Sequence, residues 1–346
     1  MTIDKGIPIK NIFYMLAYAF KELKLEHYQR VKTESFDNIH DLFAEIISLG
    51  ISLVLKQGLH REYIEHQDTL NTLRGKLNIQ ETMKERMKQS GKLSCNYDDF
   101  SCNNIFNQIL KATMMLLIRC SDVSRSRKNA LRKFLLFFDE VESIDLRAVK
   151  WSSLRYDRNS RTYQMLHGLC YFIVSDMLLS TESGNTQSPI FSDENMALLF
   201  QRFILEYYRQ KHPEYRAKGK RVEWNLDEEE QTTFLPTMNT DVTLELLDRK
   251  LIIDAKYYSH TLQENFGKQT IHSGNLYQIY AYVTNEDKKH EGKVDGMLLY
   301  AMTDKYGMRT ERIKLEAGNV IQVKTIDLSQ NFPDITKQLE GLVHYI

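Results

Sequence analysis

In Leu251-Ile-Ile-Asp-Ala-Lys-Tyr-Tyr258 three aliphatic residues run straight into an acid and a lysine two positions apart. Such an aliphatic run is what a buried strand requires. The strand period of two puts Asp254 and Lys256 on one face. A buried strand seldom carries two charges facing the same way unless they are paired or functional. The other acid-x-lysine triplets, Asp248-Arg-Lys250, Asp287-Lys-Lys289, Glu22-Leu-Lys24 and Glu291-Gly-Lys293, follow no such run.

The preceding stretch, 241–247, also reads as a strand, and Asp248-Arg249 between the two predicts a hairpin turn. That register sets Asp241 opposite Lys256, with Cβ atoms about 5 Å apart, and diagonal to Asp254 at about 7–8 Å. Two carboxylates and one ammonium would then share a patch suited to phosphodiester hydrolysis. Carboxylates bind a hard divalent cation such as magnesium, or manganese in its place, and the Ala255 carbonyl could complete the shell. The lysine can orient the attacking water or steady charge at phosphorus. The alternative for Asp241, Asp254 and Lys256 is a buried ion-pair cluster without catalysis.

Around this hairpin the expected order of elements is αβββαβ. A helix follows Ser192 and Asp193, with Met196, Leu199, Phe200, Phe203, Ile204 and Tyr207 on one face. Strands are expected at 220–226, 241–247 and 251–258, a helix at 275–283, and a further strand at 296–301. Upstream, helical spacing occupies 11–24, 38–56, 104–118, 127–141 and 162–179. Between Glu62 and Leu93 the pattern shortens, predicting a small β lobe with a protruding loop around Lys84-Glu-Arg-Met-Lys88. The small polar run 180–189, ending in Pro189, is the clearest break. The expected fold is therefore α+β in two domains: a helix-rich domain with a β lobe over 1–185, and a sheet domain over 186–346.

Lysine plus arginine and aspartate plus glutamate number 46 each among 346 residues, so any nucleic-acid contact must use local patches. Four cysteines, Cys95, Cys102, Cys120 and Cys170, are too few for a disulfide scaffold and match no zinc spacing. The N-terminus has no signal-peptide pattern, and no apolar run is long enough to cross a bilayer. The expectation is a cytoplasmic protein with no membrane partner. No G-x-x-x-x-G-K-[ST] occurs, so no P-loop nucleotide site is expected.

Asn239-Thr-Asp-Val-Thr243 followed by Leu251-Ile-Ile-Asp-Ala-Lys-Tyr-Tyr258 resembles the PD-(D/E)xK nuclease core. Within that superfamily it is most similar to the McrC family, nuclease subunits of McrBC modification-dependent restriction systems. The opening Ile7-Pro-Ile-Lys-Asn-Ile-Phe-Tyr-Met-Leu-Ala-Tyr18 and Asn275-Leu-Tyr-Gln-Ile-Tyr280 share the resemblance. It implies that Asp241 and Asp254 are the motif acids and Lys256 its lysine, with Asp241, Asp254 and the Ala255 carbonyl as metal ligands. Here Thr240 precedes the first acid where the motif has proline.

The resemblance also implies a magnesium-dependent endonuclease subunit acting on double-stranded DNA with modified cytosine. Its partner would be a hexameric AAA+ ring resembling McrB, which alone handles GTP and which the 1–185 domain, perhaps best through the 62–93 lobe, would engage. An adaptor that plugs and stimulates such a ring without cutting is the second reading. Gln278 and Tyr282, one helical turn apart, resemble the QxxxY element of RecB-like nucleases; the alternative is ordinary helix packing. Glu206 is an additional candidate carboxylate, with a solvated face as its alternative. Arg216-Ala-Lys-Gly-Lys-Arg221 and the set Arg125, Arg127, Lys128, Arg132 and Lys133 are candidate backbone contacts or plain surface. His260 and His272 lie near the motif without ligand spacing.

Overall fold

Pro8 ends the short antiparallel pair β1 (Ile3–Asp4) and β2 (Ile7–Pro8) and leads directly into α1 (Ile9–Ala19). After α2 (Ile39–Gln57) come β3 (Glu62–Leu70), β4 (Lys76–Leu77), α3 (Ile79–Met87) and β5 (Leu93–Ser101). The three strands form an antiparallel sheet ordered β3-β5-β4, the expected small lobe. Helices α4 (Ile105–Arg119), α5 (Arg125–Leu135) and α6 (Arg161–Glu182) follow. This is a computed structural model; it describes residues 3–4, 6–182, 193–226, 234–257, 263–265, 268–270, 272–302 and 310–344.

The lobe departs from expectation at Lys84-Glu-Arg-Met-Lys88, which belongs to α3 and to its C-cap instead of a loop. The Asn78 side chain caps that helix by accepting from Glu81 N at 3.2 Å. Lys84–Glu81 and Lys88–Glu85 pairs at 2.7 and 2.8 Å, three residues apart, support it further.

The second half begins with α7 (Asp193–Lys211) and the two-residue strands β6 (Arg221–Val222) and β7 (Met238–Asn239). Next come β8 (Val242–Glu245), β9 (Lys250–Tyr257), the hairpin β10 (Gln263–Asn265) and β11 (Lys268–Thr270), and α8 (Ser273–Glu286). The chain closes with β12 (Val294–Met302), β13 (Glu311–Lys314), β14 (Val320–Asp327) and α9 (Phe332–Val343). Among the described residues the main sheet is ordered β13-β14-β12-β9-β8, with β9, β12 and β14 parallel and both edge strands antiparallel to their neighbours. The strand expected over 220–226 is shorter than its prediction. Only Arg221–Val222 forms a ladder, with β7, and a bridge from Lys218 to Thr243 ties this segment to β8.

The hairpin register also differs by one step of the turn. Val242 pairs with Ile253 and Glu245 with Lys250, so the turn lies at Leu247-Asp248. Asp241 consequently comes level with Asp254 instead of Lys256. Arg249 accounts for the shift: it is held on the strand side by a two-point ion pair with buried Asp295, both contacts 2.6 Å. Leu247 is left fully exposed at the tip.

Two compact units result: Met1–Leu42 with Leu178–Ile346, and Phe43–Met177. The expected boundary between 185 and 186 lies outside the described residues, as do 183–189 of the small polar run. The first 42 residues, expected to belong with the N-terminal domain, instead join the sheet unit. α1 packs on α7, Asn11 Nδ2 donates to Leu328 O and Gln330 O at 2.8 Å each, and Tyr14 stacks on Phe332 at 4.5 Å.

α8 covers the face of the sheet that holds Ile252, with Ile279, Tyr282 and Val283 packing among Val294, Leu298, Tyr300, Ile321 and Val323. Gly296 permits that close approach. A Cβ there would lie 2.7 Å from Ile279 and 2.8 Å from Val283.

Candidate active site

The site forms where β8 stops and β9 continues. Beyond the Val242–Ile253 pair the edge of β9 has no ladder partner, and the Asp241 carboxylate takes that place: its Oδ2 accepts from Ala255 N at 2.9 Å. Alternation directs Asp254 and Lys256 to the α8 side, where Lys256 Nζ lies 3.0 Å from Asp254 Oδ2. On α8, Gln278 Oε1 accepts from Lys256 Nζ at 3.0 Å, and Gln278 Nε2 donates to Tyr282 Oη at 2.7 Å. The structure thus brings Asp241, Asp254, Lys256, Gln278 and Tyr282 together.

Burial dominates the electrostatics. Asp254 is 1% exposed, and its carboxyl is raised by desolvation against the opposing pull of Lys256. Desolvation, then the nearby Asp254 charge, push the Asp241 carboxyl up to about 6, opposed by the Ala255 amide and Lys256. The Tyr282 hydroxyl is raised as well, chiefly by burial. Asp254 Oδ2 is sealed from solvent without a well-directed hydrogen bond, its ion pair with Lys256 aside.

Two adjacent, desolvated carboxylates, one with an orphaned oxygen, form a site that a cation would relieve. The donors at hand are all oxygens: the two carboxylates and the Ala255 carbonyl. That set fits a hard divalent ion such as magnesium or manganese and not a thiophilic one.

Gln201 on α7 was not among the sequence candidates, yet its Nε2 donates to Ala255 O at 3.3 Å. Nothing in its spacing marks it among the other polar residues of α7. Glu206, the carboxylate considered on that helix, is spent elsewhere: it pairs with Arg209 at 2.7 Å and with Lys21 at 3.9 Å.

The cluster at 216–221 is likewise largely consumed. Lys218 and Arg216 meet Glu245 at 2.6 and 3.5 Å. Lys220 shares the buried Glu286 with Lys250, each at 2.6 Å. In the other basic set, Arg127 pairs with Glu45 at 3.5 Å. His272 stands at the N-cap of α8, and His260 lies outside the described residues.

Fold and site together define an α+β protein whose central hairpin carries a two-carboxylate, one-lysine centre beneath a helix. The profile of the McrBC 5-methylcytosine restriction system component family matches residues 5–301, and the chain belongs to that family. It is 24% identical over 337 residues to the Type IV methyl-directed restriction enzyme EcoKMcrBC of Escherichia coli (strain K12), covering 96% of each chain. Its fold is similar to a Thermococcus gammatolerans chain solved in a half-complex of McrB AAA+ hexamers with bound McrC. The TM-score is 0.52 at 16% identity, over 97% of this chain and 76% of that one.

Proposed function

We propose that this chain is the DNA-cleaving subunit of a modification-dependent restriction complex and hydrolyses phosphodiester bonds at Asp241, Asp254 and Lys256 with the PD-(D/E)xK arrangement. The observation that carries the reading is the convergence of those three side chains on the unpaired end of β9. A structural ion pair would not need a second desolvated carboxylate beside the first.

Asp241, Asp254 and the Ala255 carbonyl would hold magnesium, or manganese in its place. The ion, when bound, polarises the scissile phosphate and lowers the pKa of a bound water. Lys256 faces the same point and offsets negative charge growing on the phosphorus oxygens as the water oxygen bonds to phosphorus and the ester oxygen leaves. Gln278 fixes the ammonium by accepting one of its protons, and Tyr282 fixes Gln278 in turn. Asp254 holds Lys256 charged and oriented.

The family profile and the Escherichia coli relative support double-stranded DNA with modified cytosine as substrate. The Thermococcus gammatolerans assembly, with McrC bound to McrB AAA+ hexamers, supports a hexameric AAA+ ring as partner. With no P-loop motif in this sequence, nucleotide hydrolysis is assigned to that partner, and GTP concerns this chain only through it. Among the described residues no helix is long and apolar enough to cross a membrane. The reading is tested by adding calcium, magnesium or chelator to the assembled complex and following linearisation of methylated plasmid. Magnesium should support cutting and calcium should not, because its larger, looser shell positions water poorly. Cutting in excess chelator would exclude the mechanism.

A further inference from the structure

Ala255 presents its N–H and C=O to the same edge of β9, as each residue of an antiparallel ladder does. Past Val242 that edge has no strand beside it, and side chains occupy it: Asp241 takes the N–H at 2.9 Å and Gln201 the C=O at 3.3 Å. The Gln201 amide therefore reaches the carbonyl that, on the functional reading above, belongs to the metal centre. It does so from α7, a helix otherwise committed to the core through Leu199, Phe200, Phe203 and Ile204. Those buried neighbours fix where the amide can go.

A carboxamide carries a donor and an acceptor related by half a turn about its last side-chain bond. In the metal-free protein Nε2 satisfies the Ala255 carbonyl. A cation at that carbonyl would repel the N–H and favour the rotated amide, with Oε1 turned toward the ion. From this geometry we infer that Gln201 is the contribution of α7 to the metal centre, a neutral oxygen donor beside Asp241, Asp254 and the Ala255 carbonyl. The inference rests on the proposed metal-dependent reading of that site. A neutral donor adds a metal contact without placing a third negative charge beside two desolvated carboxylates.

The test uses the full chain and manganese alone, titrated calorimetrically and by the loss of the free-ion paramagnetic signal. Gln201→Met keeps the length of the side chain and removes the amide oxygen. It should weaken manganese binding roughly 10-fold or more, the usual effect of losing a supporting contact at a metal site. Gln201→Glu restores an oxygen and should recover the affinity. The metal-free melting temperature of Gln201→Met should stay within about a degree of wild type, because no buried contact of the helix face is lost. Wild-type affinity in Gln201→Met, or failure of Gln201→Glu to recover a lost affinity, would overturn the assignment of Gln201 while leaving the carboxylates in place. Manganese binding that survives Asp254→Asn undiminished, or no manganese binding by wild type, would remove the metal centre itself and this inference with it.

Discussion

At the scale of single residues, the site holds two carboxylates where water would favour none. The Asp241 value, about 6, lies above its ordinary 3.8. Its contribution to stability is therefore fully present below pH ~4 and is lost as pH rises through about 6. At pH 8 the metal-free protein should carry that electrostatic burden. Asp241→Asn, which can still accept from Ala255 N, should raise its melting temperature by several degrees at pH 8 and not at pH 4, and should abolish the further rise that magnesium gives wild type. Thermal melts with and without chelator check this.

His167 behaves oppositely. Its Nε2 faces the Phe106 carbonyl at 3.0 Å and must carry the proton, so Nδ1 accepts from Tyr156 Oη at 2.9 Å. Burial lowers its value to about 4. Stability is then present above pH ~6.5 and is lost as pH falls through about 4, a change on the order of 3 kcal/mol. Urea titrations at pH 7 and 4.5 should show His167→Gln losing less over that interval than wild type. Asp241, Asp254 and Lys256 were legible because a charge inside an aliphatic strand needs a reason. Gln201 was not, because a polar residue on an amphipathic helix needs none.

At the scale of elements, alternation carried further than turn chemistry. The period of two assigned Asp254 and Lys256 to one face, and the two-residue difference in register preserved that face while changing which residue meets Asp241. Asp248-Arg249 looked like a turn because the partner of Arg249, Asp295, lies 46 positions away. The strand at 220–226 was overextended for a related reason: its pairing depends on residues 238–243, whose own strand is interrupted between β7 and β8. The packing of α8 on β12 through Gly296 had no local signal either, and it positions Gln278 and Tyr282. Gly296→Ala should push α8 outward, costing about 1–3 kcal/mol by denaturant unfolding. It should lower cleavage more than the stability loss explains, because Lys256 loses its Gln278 contact. Full activity in a Gly296→Ala protein destabilised to this extent would separate α8 from catalysis.

At the scale of the whole molecule, composition was the least informative level: equal counts of acidic and basic residues neither favour nor oppose DNA. The α+β class was legible from changes of period along the chain. The grouping of residues was less so, since Asn11 meets Leu328 and Gln330 across more than 300 positions. The most direct test of the central claim is cleavage of methylated DNA by the complex assembled with its AAA+ partner, comparing wild type with Asp254→Asn while GTP hydrolysis is followed in parallel. The proposed chemistry predicts that cleavage falls on the order of 100-fold or more while assembly and GTP hydrolysis persist. Cleavage near the wild-type rate would contradict it.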